Sequence, residues 1–237
     1  MSRRYEEAER RLGVPPVDAW GRRNENPPGM SLRQLIREDL RTHDGNPFEQ
    51  GFWALVVHRF GNWRMDRPKI VRAPCTLIYF VLEKMVQVLA GISLPYVVKV
   101  GRRVRFWHFG GMILGARYIG NDVHIRQNVS MGVAQTWNLQ LPIIEDGVHI
   151  GAGAAILGQV LVGREARIAA NSLVVADVPD HATLVGVPAR VLSVRVQTPL
   201  SLDDAAAGES APAPAQAPIS TVVEGDLDRS AERSPIK

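Results

Sequence analysis

The chain has 237 residues, a formal net charge of +4 and one cysteine, Cys75; hydrophobic residues make up 46% and aromatic residues only 6%. A single cysteine excludes an intramolecular disulfide and a cysteine-rich metal site, and it suits a reducing compartment such as the cytoplasm. The basic residues cluster at the N-terminus and from Arg59 to Arg72 without a nucleic-acid motif, so they read as solvated surface or as attraction to an anionic ligand or membrane surface.

Residues 1–29 are charged and proline-bearing. Tyr5 to Leu12 could form one helix, but Pro15, Pro16, Pro27 and Pro28 prevent a long one, and a largely flexible arm is expected. The charged start has no apolar stretch to act as a signal peptide, which again suits the cytoplasm. A helical domain is expected over residues 30–91. Ser31-Leu32-Arg33-Gln34 resembles a capping box, and Leu32, Leu35, Ile36 and Leu40 share one helical face. Pro47 opens a second helix, which Pro68 closes. A third runs from about Pro74 to Ala90, with Gly91 as its C-cap. The apolar stretch Leu77 to Leu94 contains Glu83, Lys84 and Gln87, so it reads as a buried helix; attachment to a membrane surface is the less favoured reading.

Residues 92–196 carry the strongest pattern. Aliphatic residues return every six positions, most clearly at Ile144, Ile150, Ile156, Val162, Ile168 and Val174. Six fits neither the helical period nor simple strand alternation; it is the repeat of a parallel β-helix, in which three six-residue faces make a triangular coil. A sandwich of short strands with Gly-rich turns is the weaker alternative. The expected fold is α+β: an N-terminal helical domain, then a parallel β-helix, then a disordered tail. One position is inserted between Met112 and Ile119, and Ala134 to Gln140 breaks the repeat and should loop out. The helices would cover the first coil, which otherwise exposes unpaired strand edges. Residues 197–237 turn to Ala, Pro, Ser, Glu and Asp and should be disordered.

His108, in Phe106-Trp107-His108-Phe109-Gly110-Gly111, is the main chemical candidate: a near-neutral His can take a proton from a hydroxyl nucleophile. A His packed between rings is the other reading. His124 and His149 sit at comparable places in their units; His43, His58 and His181 are isolated. No pair has metal-ligand spacing with a third donor, so no metal site is expected. Gly132, Ala152-Gly153 and Ala169-Ala170 recur at similar phase, as small corners that could line a groove for an extended ligand or could simply let the chain turn.

On these residues, Ser31 to Arg190 resembles the serine acetyltransferase family of hexapeptide-repeat acyltransferases. Ile36-Arg37-Glu38-Asp39-Leu40 and Gly51-Phe52-Trp53-Ala54-Leu55 with Arg59 are similar to its helical domain. Trp107 to Gly115 is similar to the segment that bears its catalytic His. Ile150 to Ala154 and Gly186-Val187-Pro188-Ala189-Arg190 are similar to its cofactor coil and terminal motif. The resemblance implies a left-handed β-helix assembled as a homotrimer or a dimer of trimers. Acetyl-CoA would lie between subunits, and His108 would be general base for direct attack of an acceptor hydroxyl on the thioester. Gly132, Ala152 and Ala170 would touch the cofactor through main-chain atoms, and Arg190 would lie near its phosphates.

The chain also departs from the family pattern. Ser93 stands where the family has an acidic residue that orients the His, and Trp107 stands where it has Asp. Gln140-Leu141-Pro142 stands where it has Arg-His-Pro, whose His helps bind serine. Ala134 to Leu139 replaces a Gly-rich loop. Ser93, Trp107 and Arg126 are the candidates for the acceptor side. The His108 segment also resembles a branch that acetylates sugars in exopolysaccharide pathways. The tail ends Pro235-Ile236-Lys237 rather than in Ile, so the family's sulfhydrylase partner is not implied. The expected activity is acetyl transfer from acetyl-CoA to a small-molecule hydroxyl, L-serine first and a sugar second. A non-catalytic binding or scaffold protein is the third reading.

Overall fold

The computed structural model describes residues 2–16, 19–134 and 140–194. The tail and most of the loop between Ala134 and Gln140, both singled out above, lie outside the described residues.

Four helices precede the coils: α1 (Arg3–Arg11), α2 (Leu32–Thr42), α3 (Gln50–Trp63) and α4 (Lys69–Ala90), with a 3-10 turn at Arg64–Asp66. The capping box forms, Ser31 accepting from Gln34 N–H while the Gln34 side chain reaches back to Ser31 N–H. Helix α3 begins three residues later than its proline suggests. Helix α4 begins five residues before Pro74, which sits inside it. Gly91 ends α4 in the left-handed conformation, φ 64°, where a residue without Cβ is unstrained.

The solenoid follows as thirteen short parallel strands: β1 (Ile92–Ser93), β2 (Lys99–Val100), β3 (Arg105–Trp107), β4 (Met112–Leu114), β5 (Tyr118–Ile119), β6 (His124–Arg126), β7 (Ser130–Gly132), β8 (Ile143–Ile144), β9 (His149–Ile150), β10 (Ala155–Leu157), β11 (Leu161–Val162), β12 (Arg167–Ile168) and β13 (Leu173–Val174). A hairpin of β14 (Ala182–Val185) and β15 (Arg190–Val194) ends it. Every third strand stacks, making three faces. Sheet A is β1-β4-β7-β10-β13, sheet B is β2-β5-β8-β11, and sheet C is β3-β6-β9-β12-β14-β15. The six-residue aliphatics fill the axis: Ile119 and Ile144, Ile125 and Ile150, Met131 and Ile156 are all buried and in register from coil to coil.

One register differs from the sequence reading. Leu114, not Met112, pairs with Met131. Phe106 to Leu114 is therefore a step of eight and Leu114 to Ile119 one of five, so two residues are added in the corner that carries His108 and one is missing from the next.

Helix α3 closes the open end of the solenoid. Its His58 Nε2–H donates to Val98 O at 2.9 Å, Arg59 donates to Val100 O and Gly101 O at 2.9 and 2.6 Å, and Asn62 donates to Tyr96 O at 2.9 Å. These carbonyls belong to the first coil, which has no coil above it to satisfy them. Arg59 is fully buried and held by Asp39 at 3.0 Å. It is a structural cation, not part of a solvated basic patch.

Two further expectations are corrected. The arm of residues 1–29 is folded where it is described. Tyr5 and Ala8 of α1 are buried against Tyr118, Ile143 and Leu161, the outward residues of sheet B. Tyr5 Oη donates to Leu141 O at 2.6 Å, and Trp20 Nε1–H to Val97 O at 2.6 Å. The prolines limit helix length but do not prevent packing as irregular chain. Helix α4, expected to be buried, buries only Tyr79, Val86 and Ala90, because α3 and the top coil meet it along one stripe. Cys75, on this helix, is half-buried.

Candidate active site

His108 follows β3 at the corner between sheets C and A. Its φ is 65° and its side chain is exposed. A non-glycine residue held in the left-handed region is uncommon and marks a constrained position. The equivalent corners of the next coils stack beneath it: Asn128 N–H donates to Gly110 O at 3.0 Å, Gly153 N–H to Gln127 O at 2.9 Å, and Asn171 N–H to Ala152 O at 2.8 Å. Gly111 and Gly153 are required here. Both have positive φ, and a Cβ on either would fall 2.4 or 2.2 Å from the Asn oxygen of the coil below.

Ala152 and Ala170 lie on this same column, so they continue the edge that begins at His108. The column ends at the terminal hairpin, where Leu173 N–H donates to Gly186 O at 3.0 Å and Ala189 N–H to Leu173 O at 2.7 Å. Arg190 follows at once, exposed and paired with Val185. Gly132 does not share the column. It ends β7, at the corner between sheets A and B, and a Cβ there would meet nothing within 4 Å. The sequence reading grouped it with the alanines because phase was counted in sixes. Corner identity repeats only every three units, so equal phase within a unit does not mean the same edge.

The acceptor-side candidates also divide. Trp107 and Arg126 are cross-strand partners on sheet C, while Ser93 pairs with Ile113 on sheet A. The Arg105 guanidinium lies 3.8 Å over the centroid of the Trp107 ring, and the His124 ring is stacked with it at 5.9 Å. Its single donor, Nε1–H, goes to His124 Nδ1 at 2.9 Å. His124 stacks in turn on His149 at 4.6 Å and 7°. Accepting at Nδ1 places the His124 proton on Nε2. Burial first, then the Arg105 charge, lowers the His124 pKa; burial, then His124 and Arg167, lowers that of His149. Among the described residues no cluster of three His, Cys, Asp or Glu is placed to hold a metal ion.

A cleft of about 300 Å³ opens beside His108, between the α2–α3 connection and β3. Glu49, the residue before α3, is the one carboxylate lining it. Glu49 and His108 lie fifty-nine positions apart and no local motif ties them, so their sharing of one cleft was invisible in the sequence. The His124–His149 stack was visible only as equal phase.

A single chain that turns triangular coils on a six-residue repeat, with a His at one irregular corner, is a hexapeptide-repeat β-solenoid of the acyltransferase class. No family model matches the chain. It is 37% identical over 145 residues to the serine acetyltransferase of Escherichia coli strain K12, covering 60% of this chain and 51% of that protein. It is 31% identical over 166 residues to the serine acetyltransferase of Bacillus pumilus, covering 67% of this chain and 76% of that protein. A solved serine acetyltransferase in complex with CoA superposes with a TM-score of 0.53 at 30% identity, covering 67% of this chain and 66% of that one. The chain belongs to the serine acetyltransferase family. It spans about half the length of the first of these relatives.

Proposed function

We propose that this protein is an acetyl-CoA-dependent O-acetyltransferase with L-serine as its acceptor. The observation that carries the reading is the continuous edge from His108 through Ala152 and Ala170 to Arg190. It combines a candidate base at one end, small residues along its length and a cation at the other. A thioester whose acyl end lies at His108 would run its pantetheine arm along that edge and bring its phosphates toward Arg190. The solved family member with CoA supports this donor.

In the step itself His108 takes the hydroxyl proton as the oxygen attacks the thioester carbonyl. The tetrahedral oxyanion is held by a backbone N–H. The C–S bond then breaks, and the CoA thiolate takes the proton back from His108. Glu49 is the candidate to orient the imidazole, in place of the acidic residue missing at Ser93. Gly132, on the other edge of sheet A, would serve a cofactor bound between two copies, in keeping with a homotrimer or a dimer of trimers.

A sugar hydroxyl is the second acceptor reading. It is favoured by Leu141, which is buried, with its carbonyl taken by Tyr5, and so offers no side-chain polar group to an amino acid. The experiment is an acceptor panel that follows CoA release with L-serine and with free and nucleotide-linked sugars, for the wild type and His108→Ala. Release with serine that is lost in the variant supports the first reading. Release with sugars alone supports the second. No release with any acceptor, together with no acetyl-CoA binding by calorimetry, returns the protein to a scaffold role.

A further inference from the structure

Helix α4 turns a wide apolar face to solvent. Ile70, Leu77, Val88 and Leu89 are between 63% and 88% exposed, and Ile78 and Val81 are half or more exposed. At 100° per residue, Ile70, Leu77, Val81 and Val88 fall on one line along the helix, with Ile78 and Leu89 beside it. One charged side chain, Lys84, stands within this face, beside Phe80, Val81, Met85 and Val88. The helix is long and apolar enough by composition to cross a bilayer. Spanning is ruled out by its other side: Tyr79, Val86 and Ala90 are built into the core, Arg64 lies 4.8 Å over the Tyr79 ring, and Tyr79 Oη accepts from Tyr96 N–H.

We propose that α4 docks in the plane of an anionic lipid bilayer, its apolar face among the acyl chains. The charges around it suit that partner. From Arg67 to Ala90 there are four basic side chains, Arg67, Lys69, Arg72 and Lys84, and one acidic, Glu83. Lys84, within the apolar face, and Lys69, beside it, are both exposed, so their stems can lie on apolar surface and their ammonium groups reach lipid phosphates. At the N-terminal end the Arg67 guanidinium lies 4.6 Å over Trp63, an aromatic–basic pair of the kind that settles at headgroup depth. A groove of about 430 Å³ between α3 and α4, walled by Phe52, Trp53, Leu82 and Met85, gives room for an acyl segment. A second copy of the chain is the poorer occupant. Pairing this face with itself would bring lysines together, while Glu83 lies on the core-facing side of the helix beside Tyr79.

Docking of this kind has a positional consequence. Gly110 N–H donates to Ala90 O at 3.0 Å and Met112 N–H to Gly91 O at 2.9 Å, so the His108 corner is fastened to the end of α4. The surface that receives α4 therefore lies beside the candidate base. The proposal stands whether or not the acetyl-transfer reading does.

The test is co-sedimentation of the full-length protein with vesicles of phosphatidylglycerol and phosphatidylethanolamine, against vesicles of phosphatidylcholine alone, with solution mass measured in parallel. Binding to the anionic vesicles that falls with added salt is expected. Leu77→Glu with Val81→Glu should weaken it about tenfold or more, as loss of apolar burial requires, with solution mass unchanged. Should that pair fail to fold, Lys69→Ser with Lys84→Ser, both at exposed positions, should lower binding to anionic vesicles severalfold. Absence of vesicle binding overturns the proposal, as does binding that neither variant pair alters. A drop in solution mass in the Glu variant without vesicle binding would assign the face to a contact between copies and overturn it equally.

Discussion

Trp107 donates its indole N–H to Nδ1 of His124 at 2.9 Å, one residue from the candidate base. The bond exists only while Nδ1 is unprotonated. It therefore ties the sheet C outer face, and the corner that follows it, to the protonation state of His124.

The first prediction concerns pH. Burial is the first cause lowering the pKa values of His124, His149, His43 and His58, the last to about 3 with a further push from Arg59. Each pKa is lower in the folded than in the unfolded chain. The unfolded state therefore binds more protons below pH 6.5, and stability is complete above that value and lost as pH falls. Melting temperature should hold between pH 7.5 and about 6.5 and drop from there to pH 5. His124→Gln, which keeps an acceptor for Trp107 and removes one titration, should show a shallower drop. A melting temperature that is flat over this range would contradict the assignment.

The second concerns the buried pair. Asp39 holds Arg59 with both partners fully buried, and Arg59 holds the first coil. Asp39→Ala strands the guanidinium and should cost ~3–5 kcal/mol, the range for breaking a buried ion pair. Urea denaturation measures it. A loss under 1 kcal/mol would show that water reaches the site.

The third separates fold from ligand. A side chain at Gly132 meets open space. Gly132→Val should leave the melting temperature unchanged while weakening acetyl-CoA binding by calorimetry. Unchanged affinity would remove Gly132 from the donor site.

The fourth tests the N-terminal segment. Tyr5 is 1% exposed, and its hydroxyl satisfies Leu141 O. Tyr5→Phe leaves that carbonyl unpaired and should cost ~1–3 kcal/mol; Tyr5→Ala also empties the ring's site and should cost ~3–5 kcal/mol. Denaturation midpoints indistinguishable from wild type in both variants would mean that α1 does not hold to sheet B in solution.

Much of this was legible in the chain. The six-residue return of Ile, Val and Met gave the solenoid, because each unit must place one branched side chain on the axis and the covalent spacing enforces it. The capping box at Ser31 and the αL stop at Gly91 were local signals and were read locally. The folding of residues 2–16 was not read, although Tyr118, Ile143 and Leu161 carry the clue. They are apolar at the position just before each inward residue, where a bare sheet would be polar.

What the sequence determined by itself was the inward column and the family pattern around His108, since both depend on spacing along the chain. Tertiary structure alone decided which edge each corner joins, that Gly132 lies apart from Ala152 and Ala170, that Glu49 lines the cleft of His108, and that α4 leaves its apolar face outside. Those are relations between coils and helices distant in sequence. They are set by the three-unit turn of the solenoid and by which surfaces find a neighbour, and a six-residue period carries neither.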